Sequence, residues 1–128
     1  MQRALTLFES AANGGDRYAP RNLGLMYSSG DGVEKDLKKA ADYFRVSAQR
    51  GHPPGMVSFG WAIANGAGIE QDQQTGCDWF EKAAALGNAG AMNDLGVCYF
   101  SGRGRVQDLA KAAALYEEAA KSGQSSAL

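Results

Sequence analysis

Residues 19–51 read APRNLGLMYSSGDGVEKDLKKAADYFRVSAQRG, and the same pattern returns twice further along the chain. The Leu-Gly pair at residues 23–24 recurs as Phe-Gly at 59–60 and as Leu-Gly at 95–96, a constant step of 36 residues. Turn glycines, an aspartate and a pair of bulky residues follow each of these pairs in the same phase. A period of this length without insertions is typical of stacked helix–turn–helix repeats.

The recurring residues predict where each helix begins and ends. An aspartate precedes the second helix of every unit, where its carboxylate can cap free backbone N–H groups. A glycine closes that helix, where a positive φ is useful, and paired glycines form the turn within each unit. The aspartates are Asp36, Asp72 and Asp108, and the closing glycines are Gly51, Gly87 and Gly123. With apolar residues at spacings of three and four, the predicted helices are residues 2–13, 18–29, 36–50, 54–65, 72–86, 90–101 and 108–122.

Three glycines fall in the middle of predicted helices, at Gly24, Gly60 and Gly96. A glycine there costs about 1 kcal/mol relative to alanine, so its return at one repeat position indicates that a neighbouring helix approaches too closely for a Cβ. We expect the facing residues to be Ala48, Ala84 and Ala120.

The predicted fold class is an all-α solenoid of antiparallel helix pairs, with about seven helices. We expect one repeat domain over residues 1–128. It comprises a half repeat at 1–15, three full repeats at 19–51, 55–87 and 91–123, and the start of a further repeat at 124–128. Because both edges cut a repeat, we expect a segment of a longer array; a three-repeat protein with its own caps is the alternative.

The repeat resembles the SEL-1-like repeat family, a relative of the tetratricopeptide repeats. The family pattern A-x-x-x-L-G-x-x-Y-x-x-G-x-G-V-x-x-D is matched in the first full unit from Ala19 through Asp36. The third unit departs from it, since Arg105 stands where Val belongs and Val106 follows one residue later, so that turn is expected to be rearranged. The resemblance implies a right-handed superhelix with an adaptor role in protein complexes. It also points to a secreted branch with a cysteine bridge in each repeat, associated with cell-wall binding, but this chain lacks that pairing.

Composition argues against two classes of partner. Lys and Arg number 13 against 14 Asp and Glu, with a pI near 5.8, so no basic surface is expected for nucleic acid. No apolar run approaches the roughly 20 residues of a membrane span. No signal peptide is visible in this chain, and the compartment stays undetermined.

No set of residues predicts an enzyme, a metal site or a cofactor. His52 is the single histidine and lies between two predicted helices, where a turn or capping role is expected. Cys77 and Cys98 are the two cysteines. Their levels along neighbouring helices make a bridge conceivable, but we expect two buried thiols, because free cysteine packs as a small hydrophobe.

By analogy with tetratricopeptide geometry, the concave face should carry repeat positions 3, 4, 7 and 10 of each first helix. The candidate partner-binding residues are therefore Arg21, Asn22, Leu25, Ser28, Val57, Ser58, Trp61, Ala64, Asn93, Asp94, Val97 and Phe100. Aromatic residues are enriched at binding hot spots, which favours Trp61 and Phe100. The alternative is that Leu25, Trp61 and Val97 fill a core seam between stacked helices and that the polar positions are simply solvated.

The leading functional hypothesis is a scaffold whose concave face binds a peptide or helix of a partner protein. The first alternative is a structural segment that stacks end to end with further repeats or with another copy through exposed repeat ends. The second is binding of cell-wall or glycan fragments, which needs polar groups converging in a pocket.

Overall fold

The computed structural model of the chain describes the backbone of residues 19–127 and the side chains of residues 19–122. Within that range the regular structure consists of six α-helices. They are α1 Ala19–Ser29, α2 Leu37–Gln49, α3 Pro53–Asn65, α4 Gln73–Ala85, α5 Ala89–Ser101 and α6 Leu109–Ala127. Short connections join them, and each full repeat supplies one helix pair.

The predicted helix boundaries agree with five of these helices to within one or two residues, and the sixth differs. The helix predicted at 2–13 lies outside the described residues. The predicted end of the last helix at residue 122 is wrong, because α6 continues through Gly123 to Ala127. Glycine permits a left-handed helix cap but does not impose one, and Gly123 keeps the helical path.

Aspartate caps begin the second helix of each pair, as predicted. The Asp36 carboxylate accepts a hydrogen bond from the Lys39 backbone N–H at 3.0 Å, and the Asp72 carboxylate accepts one from the Thr75 N–H at 3.2 Å. The Asp108 carboxylate is placed in the same way; it accepts from the N–H three residues later at 3.0 Å. Each cap satisfies a helix N–H that has no partner within the helix.

The turn within each unit has the same conformation in all three units, and the rearrangement expected at Arg105 does not occur. Gly102 and Gly104 have φ of 73° and 77°, matching the earlier units. The Arg105 guanidinium lies over α4, where it pairs with Asp78 at 2.6 Å and Glu81 at 3.0 Å. Val106 is 88% exposed. Arg105 thus stands where the other two turns have an apolar residue, and its ion pairs connect the turn to α4 of the preceding unit.

The helices pack in chain order, and α1 also contacts α3 across the first pair. The first helices of the pairs (α1, α3 and α5) therefore form one layer and the second helices the other. Two core clusters of buried residues lie between the layers. The larger cluster is centred on Phe44, Phe59 and Ile63, and the smaller one contains Phe80 and Leu95.

The mid-helix glycines mark close helix contacts, as predicted, but the expected partners were wrong. A Cβ on Gly24 would overlap the Phe44 ring, and one on Gly96 would lie 2.7 Å from the Tyr116 ring. A Cβ on Gly60 would lie 2.9 Å from both the Phe80 ring and a backbone carbonyl of α4. The facing residues are therefore aromatic rings of the second helix, not Ala48, Ala84 and Ala120. An aromatic ring reaches across the pair at that level, and it leaves room only for a hydrogen.

Candidate functional site

The candidate partner-binding positions all lie on α1, α3 and α5, and none of them is buried. We call the surface formed by these positions the first-helix face. Successive units place equivalent positions side by side on it, because α1, α3 and α5 occupy the same layer. The repeat register thus brings residues that are 36 positions apart in the sequence onto one surface.

Large apolar side chains on the first-helix face are open to solvent. Leu25 is 41% exposed, Trp61 and Val97 are each 52% exposed, and Phe100 is 57% exposed. Leu25, Trp61 and Val97 occupy equivalent repeat positions. Because about half of each side chain remains accessible, these residues do not fill a buried seam between the helices.

Two clefts open on the first-helix face, one on each side of Trp61. The Leu25 cleft has a volume of about 280 Å³ and the Val97 cleft about 180 Å³. The Leu25 cleft is lined by Leu25, Ser28, Phe44, Val57, Ser58, Trp61 and Asp94. The Val97 cleft is lined by Trp61, Ala64, Asn65, Gln73, Cys77, Phe80, Asp94, Val97, Cys98, Ser101 and Arg103. Trp61 and Asp94 line both clefts.

The remaining candidate positions lie outside the two clefts. Arg21 is half-buried, and its Nε donates a hydrogen bond to Ser58 Oγ at 3.4 Å, which links α1 to α3. Asn22 is half-buried, whereas Asn93 and Phe100 are exposed. These four residues flank the clefts rather than line them.

Asp94 is the acidic group shared by the two clefts. Its side chain is half-buried beside Trp61, and burial raises the pKa of this carboxyl group above its ordinary value of 3.8. Partial removal of water disfavours the charged form. The centre of the face therefore combines an exposed indole with a poorly solvated carboxylate.

Cys77 and Cys98 form a disulfide, so the expectation of two thiols was wrong. Their Cα atoms are 6.5 Å apart, and the bridge joins α4 of one unit to α5 of the next. Both residues also line the Val97 cleft. The bridge connects adjacent units, so it differs from a pairing within each repeat. The antiparallel packing of α4 on α5 brings the start of one helix level with the end of the other.

The described residues offer neither a metal site nor a membrane-spanning helix. Among residues 19–122, no group of His, Cys, Asp and Glu side chains is arranged to hold a metal ion. None of the described helices combines the length and apolarity required to cross a membrane. His52 precedes α3, and its side chain is buried without capping the helix.

A family model for the Sel1 repeat matches residues 1–16, 18–52, 56–88 and 89–124. The chain belongs to the Sel1 repeat family. The matched segments extend over nearly the whole sequence, and the described helix pairs fall within them. No curated protein matches the chain.

Solved structures of Sel1 repeat proteins are similar to this chain. The crystal structure of a Sel1 repeat protein from Oxalobacter formigenes is 35% identical with a TM-score of 0.81, and the match covers 94% of this chain and 91% of that one. The protective antigen c5321 of uropathogenic Escherichia coli, which has an SLR fold, is 35% identical with a TM-score of 0.87. That match covers 95% of this chain but only 27% of c5321.

Cysteine rich protein B of Helicobacter pylori is a more distant structural neighbour. It is 20% identical with a TM-score of 0.73, and the match covers 95% of this chain and 87% of that one. At this identity the similarity concerns the fold alone. Together with the helix order, these comparisons confirm the predicted all-α, right-handed solenoid fold class. Sel1 repeats are typically protein–protein interaction modules, and such scaffolds are generally non-catalytic.

Several cleft residues were not among the predicted positions. Phe44 and Phe80 belong to the second helices and reach the cleft floors from the core, while Gln73 and Arg103 come from the helix start and the turn. The repeat pattern marks the two phenylalanines as core residues, and no feature of the sequence distinguishes a core ring whose edge reaches a cleft. Asn65 and Ser101 each lie one position after a predicted residue, Ala64 and Phe100.

Proposed function

We propose that this Sel1 repeat chain is a scaffold that binds a peptide or helix of a partner protein along the first-helix face, with Trp61 as the central anchor. The observation that carries this proposal is the half-exposed indole of Trp61 between two clefts. Tryptophan at the centre of a contact surface is a frequent hot-spot residue.

The exposed apolar side chains support this assignment by their arrangement. Leu25, Trp61 and Val97 come from three successive units and lie at one repeat position, with Phe100 one helical turn beyond Val97. Contiguous apolar surface on a monomer is characteristic of interaction sites. An extended segment or an amphipathic helix lying across the three helices can contact all of them.

The size of the clefts favours protein side chains over a free small molecule. Their volumes of 180 and 280 Å³ lie below the roughly 300–1,000 Å³ of sites that enclose small ligands. Separate clefts suit successive side chains of a continuous segment. The backbone and polar groups of that segment can contact Arg21, Asn22 and Asn93. Glycan binding is less well supported, because only Ser28, Ser58 and Asp94 line the Leu25 cleft with a hydroxyl or charged group.

A displayed library of random peptides tests the proposal directly. The intact chain and a Trp61→Ala/Phe100→Ala variant are each immobilised, and peptides enriched on the intact chain are measured by calorimetry against both. We expect the variant to bind at least about tenfold more weakly, since hot-spot truncations cost about 2 kcal/mol or more. Circular dichroism should show that the variant stays folded, although its free energy of unfolding should fall by about 1–3 kcal/mol because nearly half of each side chain is buried.

The matched control is Leu86→Ala/Leu109→Ala, which removes two side chains of similar exposure (59% and 58%) from the ends of second helices. This variant should keep the affinity of the intact chain within about twofold, because neither residue lines the two clefts. Equal binding by the intact chain and the Trp61→Ala/Phe100→Ala variant would place the site elsewhere. Failure of a folded intact chain to enrich any peptide would also contradict the proposal.

A further inference from the structure

Asp94 differs from its counterparts in the other units. The equivalent residues are Asn22 and Ser58, both neutral, so the first-helix face carries a carboxylate at this position only in the third unit. That carboxylate is half-buried and borders both clefts beside Trp61. A charged residue therefore occupies the centre of the face, where a neutral one would suffice for folding.

No basic group of the described residues forms an ion pair with Asp94. The ion pairs found among residues 19–122 involve Asp42, Asp78, Glu81 and Glu117. Of the nearby arginines, Arg21 bonds to Ser58, and Arg103 lines the Val97 cleft without reaching the Asp94 carboxylate. Burial raises the pKa of Asp94, because lost hydration is not replaced by a cation. A partly buried carboxylate normally acquires such a partner.

We infer that the bound segment carries a lysine or arginine whose cation pairs with Asp94, next to an apolar side chain that fills a cleft against Trp61. This inference rests on the proposed function and specifies the chemistry of the partner. Two features of the site match a basic side chain. The carboxylate supplies the counter-charge, and the Trp61 ring supplies an aromatic surface on which the cation or its aliphatic stem can pack.

The surrounding charges are consistent with a basic segment that is also partly apolar. The polar residues that line the two clefts with Asp94 are mostly neutral, with Arg103 as the basic exception at the rim. An acidic segment would meet Asp94 without a compensating cation at the centre. The inferred recognition element is therefore a short motif of a basic residue with an apolar neighbour, rather than a generally cationic stretch.

The test uses peptides enriched on the intact chain from the random library. We expect them to share a Lys or Arg near an apolar residue. Replacing that residue with an uncharged analogue of similar length (norleucine for lysine, citrulline for arginine) should weaken binding about tenfold, as for a charge-assisted hydrogen bond. Asp94→Asn should weaken binding of the original peptide by a similar factor. The two changes together should cost little more than either alone.

Asp31→Asn is the control, because it removes one carboxylate from an exposed turn that lines neither cleft. It should leave the affinity unchanged, and thermal unfolding of Asp94→Asn should show a folded protein. Peptides that depend on Trp61 but share no basic residue would overturn this inference and leave the proposed function standing. Independent, multiplying losses from the two changes would also overturn the pairing with Asp94. Absence of any Trp61-dependent peptide would overturn both proposals.

Discussion

At the scale of single residues, Asp94 is held in an environment that disfavours its charged form. Burial raises the pKa of this carboxyl group in the folded chain above the ordinary value of 3.8. Folding therefore favours the protonated form of Asp94. The stability that this protonation contributes is fully present below the unfolded pKa and is lost as pH rises through the folded pKa. At neutral pH the Asp94 carboxylate lowers the stability of the unliganded protein.

Asp94→Asn should therefore raise the melting temperature at pH 7, because the amide has the same shape without the charge. The increase should shrink as the pH falls and disappear below the ordinary aspartate pKa, where Asp94 is neutral in both states. Scanning calorimetry of both proteins between neutral and acid pH measures this difference. A destabilised Asp94→Asn at pH 7 would mean that the carboxylate makes a stabilising contact in the free protein.

At the scale of helices, α3 and α4 approach each other through Gly60 and Gly76. A Cβ on Gly60 would lie 2.9 Å from the Gly76 carbonyl oxygen, and a Cβ on Gly76 would lie 2.7 Å from the Gly60 carbonyl oxygen. The equivalent of Gly76 is Ala40 in the first pair and Ala112 in the third. The middle pair is therefore the one in which backbone meets backbone from both sides.

Gly60→Ala should lower the free energy of unfolding by as much as about 2 kcal/mol. The overpacking cost of about 1–3 kcal/mol exceeds the gain of up to about 1 kcal/mol in helix propensity, because a backbone carbonyl cannot rotate away. Denaturant unfolding monitored by circular dichroism gives the difference. Gly90→Ala is the control, since its Cβ would meet only the Asn88 side-chain oxygen at 3.2 Å. A neutral or stabilising Gly60→Ala would show that the pair separates easily.

At the scale of the whole molecule, the repeats are held by contacts between neighbours, and the Cys77–Cys98 bridge adds one covalent link between units. It closes a loop with a sequence separation of 21 residues and joins α4 to α5. A loop of this length corresponds to a stabilisation of about 2–4 kcal/mol. In a solenoid each unit is stabilised mainly by its neighbours, so the link should matter most for the attachment of α5 and α6.

Reduction of the bridge should lower the melting temperature by about 7–15 °C for a chain of this length. On reduction, amide hydrogen exchange should accelerate more in α5 and α6 than in α1 and α2. A Cys77→Ser/Cys98→Ser variant should melt near the reduced protein and should not respond to the reductant. Alkylation of both cysteines in the folded protein without reductant would contradict the disulfide itself.

The sequence predicted much of the candidate surface because repeat register converts directly into position. Leu25, Trp61 and Val97 share one repeat position at steps of 36 residues, and analogy with tetratricopeptide geometry assigned that position to the concave face. The structure locates the three residues on α1, α3 and α5. Their assignment to partner binding remains a proposal. The cleft floors could not be predicted, because whether the edges of Phe44 and Phe80 reach the surface depends on the distance between helices.

The sequence by itself determined five of the six described helices to within two residues, the aspartate caps and the order of the units, because each depends mainly on residues within a few positions of one another. Asp36 caps the helix that follows it whatever lies across the solenoid. Only the tertiary structure decided which side chains meet between helices. It paired Cys77 with Cys98, set the Phe44 ring rather than Ala48 against Gly24, and placed Asp94 between two clefts. These contacts depend on the axial stagger and separation of neighbouring helices, which the packing of all their side chains sets together.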